Sequence, residues 1–210
     1  MKEKTNIAIT LAACVVLLTA ARQARAEEVF YKEYEIKAVF MYQFVNFIDG
    51  WRFQQKPGKG NGENESKNEP ILLIGIIGKS PFQDAFVSLK DKQIKGRKVV
   101  IRYFRAFSEL DSDRTTEPHP QIKQIKQCDL LFVCPSECNY IDPIRHERIL
   151  TIGDTPGFLE RGGIINFITE QKKVRFEINT AAAHRANLEI RSKLLRLAKR
   201  VLTTDNVENK

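Results

Sequence analysis

The chain has 210 residues, of which 42% are hydrophobic and 29% are charged, and its formal net charge is +8. This composition is ordinary for a globular protein, and the length suffices for one domain with a sizeable core. The positive charge is too modest to indicate nucleic acid as a partner, and we expect none.

The N-terminus has the three parts of a secretory signal peptide. A basic start, MKEK, precedes an uncharged apolar run at 7–21, and Ala24 and Ala26 follow at the spacing of a cleavage site. The run is shorter than the roughly 20 residues of a membrane-spanning helix. We predict a signal peptide at 1–26, cleaved after Ala26, and a mature domain at 27–210. The alternative is a retained membrane anchor.

The next segment predicts an amphipathic helix that is rich in aromatic residues. Its apolar residues recur at three- and four-residue steps: Tyr34, Ala38, Met41, Phe44, Val45 and Ile48. The favoured interpretation is a core helix with a wide apolar face, and the alternative is an exposed partner-binding face. Residues 54–70 have no apolar residue other than proline, which predicts a flexible inserted loop.

From residue 71 onwards, apolar strands alternate with helices. The predicted strands are 71–77, 99–104, 129–134, 149–152 and a hairpin of 163–169 with 174–179. The predicted helices are 81–90, a turn at 122–127, 136–148 and a long basic helix at 180–202. Near-continuous apolar strands indicate a largely parallel sheet covered on both faces. We predict the α/β class: a single Rossmann-like three-layer domain, mostly parallel, with an antiparallel hairpin near the C-terminus.

Two short motifs raise the question of a nucleotide site: GIIGKS at 75–80 and DTPG at 154–157. A P-loop needs a first glycine five positions before Gly78, where this chain has Leu73. Pro81 lacks the N–H that a helix start would offer to phosphate. We interpret Ser80 as a helix N-cap and DTPG as a tight turn, and we expect no nucleotide to bind.

Catalytic and metal-binding patterns are not found. His119, His146 and His184 show no H-x-x-x-H or H-E-x-x-H spacing, and no G-x-S-x-G motif occurs. We therefore expect no catalytic residues, no metal and no cofactor, and we predict that the protein is not an enzyme.

Three cysteines remain after the predicted cleavage. Cys128 and Cys134 lie on one predicted strand about 20 Å apart, which is too far for a disulfide. Cys134 and Cys138 are disulfide candidates, because CPSEC can close across a strand-to-helix turn. Cys128 is then either buried or available to another chain.

The hairpin strand VRFEIN alternates in polarity. Its pattern places Arg175, Glu177 and Asn179 on one face, where Arg175 and Glu177 can form a charge pair. That face is either a solvated surface or a surface for a partner or ligand.

Four blocks of sequence together span most of the predicted mature chain: IKAVFMYQFVNFIDGW, IIGKSPF, CDLLFV, and TIGDTPGFLERGGIINF with VRFEINTAAAHRANLEIRSKLLRLA. In these blocks the chain resembles the YfiR-like family of small bacterial periplasmic proteins. The resemblance implies an α/β fold, periplasmic residence, a homodimer and a regulatory role. Such proteins inhibit an inner-membrane diguanylate cyclase by binding its periplasmic domain, which lowers c-di-GMP and biofilm formation. An OmpA-like outer-membrane lipoprotein sequesters them.

One departure from the family concerns its cysteines. Members often carry a cysteine in the first sheet strand that bridges to the position of Cys128. Here Gly75 stands near that place, so the bridge cannot form and redox sensing through it is in doubt.

Two functions of different classes follow. The first is the inhibitor that the resemblance implies, and the second is a periplasmic small-molecule binding module whose pocket is lined by the same loops. For the inhibitor, we predict a partner-binding surface made of Phe158, Glu160, Arg161, Arg175, Glu177 and Asn179.

Overall fold

The computed structural model describes residues 32–51, 70–79, 92–106 and 120–203, together with residues 23, 82, 85 and 86. The predicted signal peptide lies outside these residues except for Gln23, and the loop predicted at 54–70 lies outside except for Pro70. Most of the helix predicted at 81–90 lies outside as well. Among the described residues, no helix has the length and apolar character needed to cross a membrane.

The described chain contains ten strands and several short helices around one longer helix. The longer helix, α1, covers 32–44 and continues into the 3₁₀ helix Val45–Phe47. The strands are β1 (Ile48–Asp49), β2 (Ile71–Ile77), β3 (Gln93–Ile94), β4 (Arg97–Phe104), β5 (Leu130–Val133), β6 (Leu150–Gly153), β7 (Ile165–Glu170), β8 (Lys173–Asn179), β9 (Glu189–Ile190) and β10 (Arg200–Leu202). The other helices are Pro120–Ile125, Thr180–Arg185 and Ser192–Leu195, with 3₁₀ helices at Pro135–Tyr140 and Asp142–Ile144.

Eight strands form one sheet in the order β10-β8-β7-β6-β5-β2-β4-β3. The five central strands, from β7 to β4, run parallel to one another. The β7–β8 hairpin and the β3–β4 pair are antiparallel, and β10 runs parallel to β8. Strands β1 and β9 form a separate antiparallel pair. The predicted mostly parallel sheet with a late antiparallel hairpin is confirmed.

Two hydrophobic cores, one on each face of the sheet, make the domain three-layered. Successive strand residues point to opposite faces, so Leu72 and Ile74 pack in one core and Leu73 in the other. Strand β5 is buried at all four positions for the same reason. The first core lies under α1, and the second lies under the helix Pro120–Ile125 and the 3₁₀ helices.

Helix α1 is a core helix, as its spacing predicts. All six residues of its predicted apolar stripe, from Tyr34 to Ile48, are at most 5% exposed. The Phe44 ring lies 5.8 Å from that of Phe167 and 5.0 Å from that of Phe176, across strands β7 and β8. Burying each large side chain contributes roughly 1.5–3 kcal/mol, so this stripe is a main support of the first core.

The prediction of one long helix at 180–202 is wrong. The helix Thr180–Arg185 ends before Asn187, which has a φ of 54°. Asparagine tolerates this left-handed conformation better than most residues. Beyond it, Ile190 pairs with Ile48 and Val201 pairs with Ile178, so the chain gains backbone pairing with strands that are distant in sequence.

The helix predicted at 136–148 is also corrected. It consists of the two short 3₁₀ helices, and each has a proline in its first turn. Proline suits the start of a helix but cannot supply the N–H that a continuous α-helix needs.

A glycine in the middle of β2 sets a tight contact between strand and helix layers. A Cβ at Gly75 would lie 2.7 Å from Cys128 Sγ and 2.7 Å from Leu131 Cδ1. The structure therefore brings position 75 directly against Cys128, the two positions that the family resemblance links by a disulfide.

Replacing Gly75 with alanine is expected to destabilise the fold, although alanine suits a strand better than glycine. The added methyl overpacks the second core, which typically costs about 1–3 kcal/mol. Urea unfolding of Gly75→Ala measures this loss. In a Cys128→Ala background the loss should shrink, because Sγ is one of three obstructing atoms, with Leu131 Cδ1 and Phe104 Cε2, and an equal loss in both backgrounds would contradict the contact.

Candidate functional site

A buried charge network joins α1 to the carboxyl end of β6. Lys37 lies on the apolar side of α1, and its Nζ is 3.0 Å from Asp154 Oδ2. Both side chains are only 4% exposed. Tyr34 Oη donates to the same carboxylate oxygen at 2.5 Å, and Lys37 Nζ also lies 4.2 Å from the centre of the Tyr34 ring. A charge pair this buried holds the loop after β6 in a fixed position against α1.

A second carboxylate completes the network. Glu33 Oε1 lies 2.7 Å from Lys37 Nζ and accepts a 2.8 Å hydrogen bond from Thr169 Oγ1. Burial opposes ionisation of Glu33, but the bonds from Lys37 and Thr169 outweigh it and lower its pKa. Burial and the bond to Asp154 raise the pKa of Tyr34 above its usual value, so its hydroxyl remains a donor.

The crevice at the carboxyl ends of β2 and β5 is filled by protein. The connections from these neighbouring strands leave in opposite directions, which is where open α/β sheets usually bind ligands. Here a Cβ at Gly78 would lie 2.7 Å from Glu137 Cγ, and Glu137 is 1% exposed. The buried Glu137 side chain, packed against Gly78, leaves no room there for a phosphate, which supports the interpretation of GIIGKS as structural.

The DTPG segment forms a tight turn, as predicted. Thr155 N donates to Asn166 Oδ1 at 3.1 Å, and Gly157 has a φ of 78°, which suits glycine. Arg161 Nη1 donates to Pro156 O at 3.1 Å, so the exposed arginine lies back over the turn. The turn is held by these two hydrogen bonds and presents Arg161 at its surface.

Phe158 was predicted to contact a partner, but the structure buries it completely, with 0% exposure. Its ring lies where side chains at Gly153 and Gly163 would be, since a Cβ at either glycine would come within 2.8 Å and 2.2 Å of it, respectively. Phe158 therefore fills the inside of the loop between β6 and β7 and supports the surface instead of forming it.

Asn179 is also buried, at 5% exposure, and its role is structural. Its Oδ1 accepts from Ala182 N at 2.8 Å, which caps the helix Thr180–Arg185. Its Nδ2 donates to Leu159 O at 2.9 Å. Asn179 thus ties the end of β8 to the loop between β6 and β7, and the alternation of VRFEIN did not reveal that this loop covers it.

Arg200, which was not among the predicted site residues, brings Glu160 and Glu177 together. Arg200 on β10 binds Glu177 through two hydrogen bonds of 2.8 and 3.0 Å and Glu160 through one of 2.8 Å. Hydrogen bonding to Glu177 raises the pKa of Arg200. The predicted pairing of Glu177 with Arg175 is replaced by the pairing with Arg200. Strand β10 pairs with β8 in parallel, and this register places Arg200 beside Glu177. The pair was not predicted because β10 itself was not predicted.

The charged residues of this region, which are exposed except for the half-buried Glu177, share the sheet face opposite α1. We call Glu160, Arg161, Arg175, Glu177 and Arg200 the loop–hairpin surface. Because successive strand residues point to opposite faces, Phe176 and Ile178 lie in the core under α1, whereas Arg175 and Glu177 lie on the opposite face of the sheet. Of the six predicted partner-binding residues, four therefore belong to this surface and two support it from below.

The predicted disulfide between Cys134 and Cys138 is not formed in the structure, where both residues are buried thiols. Cys134 packs in the core under α1, whereas Cys138 packs in the core on the other face, together with Cys128. The end of β5 therefore separates the two sulfur atoms. Burial raises the pKa of the Cys128 and Cys134 thiols to about 12, which keeps them protonated.

The described residues contain no side-chain cluster suited to a metal ion. No group of three or more histidine, cysteine, aspartate or glutamate side chains in those parts of the chain is arranged to hold a metal ion.

Comparison with known proteins identifies the family. The profile of the family DUF4154, YfiR/HmsC-like, matches residues 34–199. The chain belongs to the YfiR/HmsC-like family. This family is a periplasmic, regulatory and non-catalytic one. The match covers α1 from Tyr34 onwards, the whole loop–hairpin surface except Arg200, and the buried network except Glu33.

Two solved structures resemble part of the chain, both with a TM-score below 0.5. A conserved domain protein from Vibrio cholerae O1 biovar El Tor has a TM-score of 0.44 and 13% identity, over 62% of this chain and 55% of that one. The ABC domain in complex with L-Trp from Streptococcus pneumonia has a TM-score of 0.44 and 14% identity, over 63% and 55%. The chain thus spans 55% of the length of each. No curated protein matches it.

Removing one partner of the buried charge pair is expected to be costly. Lys37→Met leaves Asp154 charged and buried, which typically costs about 3–5 kcal/mol. Lys37→Met/Asp154→Asn should recover most of this stability, because the amide still accepts from Tyr34 and carries no charge. Chemical unfolding of the single and double variants measures both effects.

The matched control for this prediction is Lys126→Met. Lys126 forms an exposed ion pair with Glu147 at 2.9 Å, and such pairs contribute about 0–1 kcal/mol. Equal losses for Lys37→Met and Lys126→Met would show that the Lys37 pair is no more important than a surface pair.

Thiol titration tests the state of the cysteines. With Ellman's reagent at pH 8, the native mature protein should react slowly, because burial and raised pKa values suppress the thiolate. In urea without reductant, Cys128, Cys134 and Cys138 should all react. One reactive thiol in urea would instead show that one disulfide is present, and peptide mapping would then test whether it joins Cys134 to Cys138.

Proposed function

We propose that this protein inhibits a membrane-anchored diguanylate cyclase by binding the periplasmic domain of that enzyme, and that the contact is made by the loop–hairpin surface. The family match over residues 34–199 is the observation that carries the proposal. Inhibition by this protein lowers c-di-GMP and, with it, biofilm formation.

The support beneath the loop–hairpin surface favours this role. Phe158 fills the loop from inside, Asn179 ties the loop to β8, and Asp154 fixes the start of the loop through Lys37. A surface held in this way loses little conformational entropy when it binds a partner.

The charges of the surface also suit a protein partner. Arg161 and Arg175 are exposed, while Arg200 is shared between two carboxylates. Arginine is enriched at interfaces because its planar guanidinium forms several directed hydrogen bonds. We infer that Arg161 and Arg175 contact acidic groups of the cyclase domain, while Arg200 orients Glu160 and Glu177.

The alternative, a small-molecule binding module with a pocket lined by the same loops, receives less support. The space inside the loop between β6 and β7 is filled by the Phe158 ring, and the crevice beside Gly78 is filled by Glu137. A ligand would have to displace one of these buried side chains.

The same proposal includes the other partners that the family resemblance implies. An OmpA-like outer-membrane lipoprotein sequesters the inhibitor and thereby releases the cyclase, and the inhibitor acts as a homodimer after export and cleavage near Ala26.

Deleting the gene is expected to raise cellular c-di-GMP in a strain that holds the partner cyclase. Complementation with the unaltered gene should restore low c-di-GMP, while Arg161→Glu/Arg175→Glu should not, because two contacts become repulsive. The measurement is c-di-GMP by mass spectrometry, with periplasmic protein levels checked by immunoblot.

Lys98→Glu is the matched control, since Lys98 is an exposed cation on β4 at the opposite edge of the sheet. It should restore repression fully. Unchanged c-di-GMP after the deletion would contradict the inhibitor function. Full repression by Arg161→Glu/Arg175→Glu would contradict the assigned surface alone.

A further inference from the structure

An apolar groove of about 600 Å³ runs along the outer side of α1, on the sheet face opposite the loop–hairpin surface. Residues of α1 and of the C-terminal helical segment line it, among them Ile36, Val39, Phe40, Phe47, Leu194 and Leu197. The lining residues of α1 recur at three- and four-residue steps over the length of the helix, so the groove is elongated and follows the helix axis.

The groove carries most of the exposed large apolar side chains in the described part of the chain. Ile36, Val39 and Leu197 are 47%, 49% and 61% exposed, and they stand together on its rims. In the same described residues, Tyr103 on β4 is the other large apolar side chain of this kind. Contiguous exposed apolar residues of this sort mark interaction surfaces, whereas single ones do not.

Opposite charges stand at the two ends of the groove. Glu35 lines one end, and Lys193 Nζ lies 5.6 Å from the centre of the Phe47 ring at the other. Glu35 and Phe47 are separated by roughly 18 Å along the helix. A helix bound here in the antiparallel direction would need a cation near Glu35 and an anion near Lys193.

We propose that the groove binds α1 of a second copy of this chain, antiparallel and across a two-fold axis. Ile36 and Val39, three residues apart, form a ridge of the kind that an apolar groove beside a helix accepts. A two-fold axis midway between Glu35 and Phe47, at the level of residue 41, brings each Glu35 to the Lys193 end of the other copy, so the charge contact forms twice. An isologous interface requires such self-complementarity, and α1 with its groove provides both halves.

This proposal deepens the proposed homodimer by assigning its surface. It leaves the loop–hairpin surface of both copies uncovered, because that surface lies on the other face of the sheet. Dimerisation and cyclase binding therefore depend on different residues.

Sedimentation equilibrium of the mature chain tests the interface. The unaltered protein should dimerise, and Val39→Glu, which places a charge on an already exposed helix position, should be monomeric with an unchanged circular dichroism spectrum. Tyr103→Glu, at an exposed apolar residue outside the groove, should remain dimeric.

Charge reversal gives a result that a folding defect cannot imitate. Glu35→Lys and Lys193→Glu should each raise the dissociation constant of the dimer by roughly two- to thirtyfold, since each disrupts two exposed ion pairs. The combined variant Glu35→Lys/Lys193→Glu should restore the original dissociation constant.

Three results would overturn the proposal: a monomeric unaltered protein at high micromolar concentration, a dimer that survives Val39→Glu, and reversals that do not compensate. Binding of the monomer to anionic phospholipid vesicles, lost in Val39→Glu, would instead assign the groove to a lipid surface. No cyclase takes part in these measurements, so their failure is distinguishable from failure of the inhibitor function.

Discussion

The fold depends on a buried ion pair between Lys37 and Asp154. Without it, α1 would be attached to the sheet mainly by apolar contacts, which are strong but not directional, and by two hydrogen bonds, Thr169 to Glu33 and Tyr42 to Gln93 O. The pair fixes the rotation of α1 and the start of the loop after β6 at the same time. The supporting contacts of Phe158 and Asn179 can then hold the rest of that loop in one conformation.

Much of the fold could be predicted because its signals are local. The apolar runs at β2, β5 and β6 and the hairpin of β7 and β8 were identified within one or two residues at most ends. The prediction of a long terminal helix was wrong because leucines at helical spacing also suit short strands. Their partners, β1 and β8, are distant in sequence, and a local pattern carries no information about them.

The candidate site was predicted less completely, for a related reason. Strand alternation correctly separated Arg175 and Glu177 from the core, but burial of Asn179 depends on how the preceding loop folds over it. Lys37 offered a signal that was missed, because a lysine within the apolar stripe of a helix requires a buried anion. The matching aspartate stood in DTPG, the motif that had first suggested a nucleotide.

The contact between Gly75 and Cys128 has a consequence for how the second core is held together. The resemblance implies a disulfide between these two positions in relatives, whereas Cys128, Cys134 and Cys138 are free thiols in this structure. Position 75 and Cys128 are therefore held together by close packing and not by a covalent bond. A reducing agent, which would break such a bond in a relative, leaves this contact unchanged.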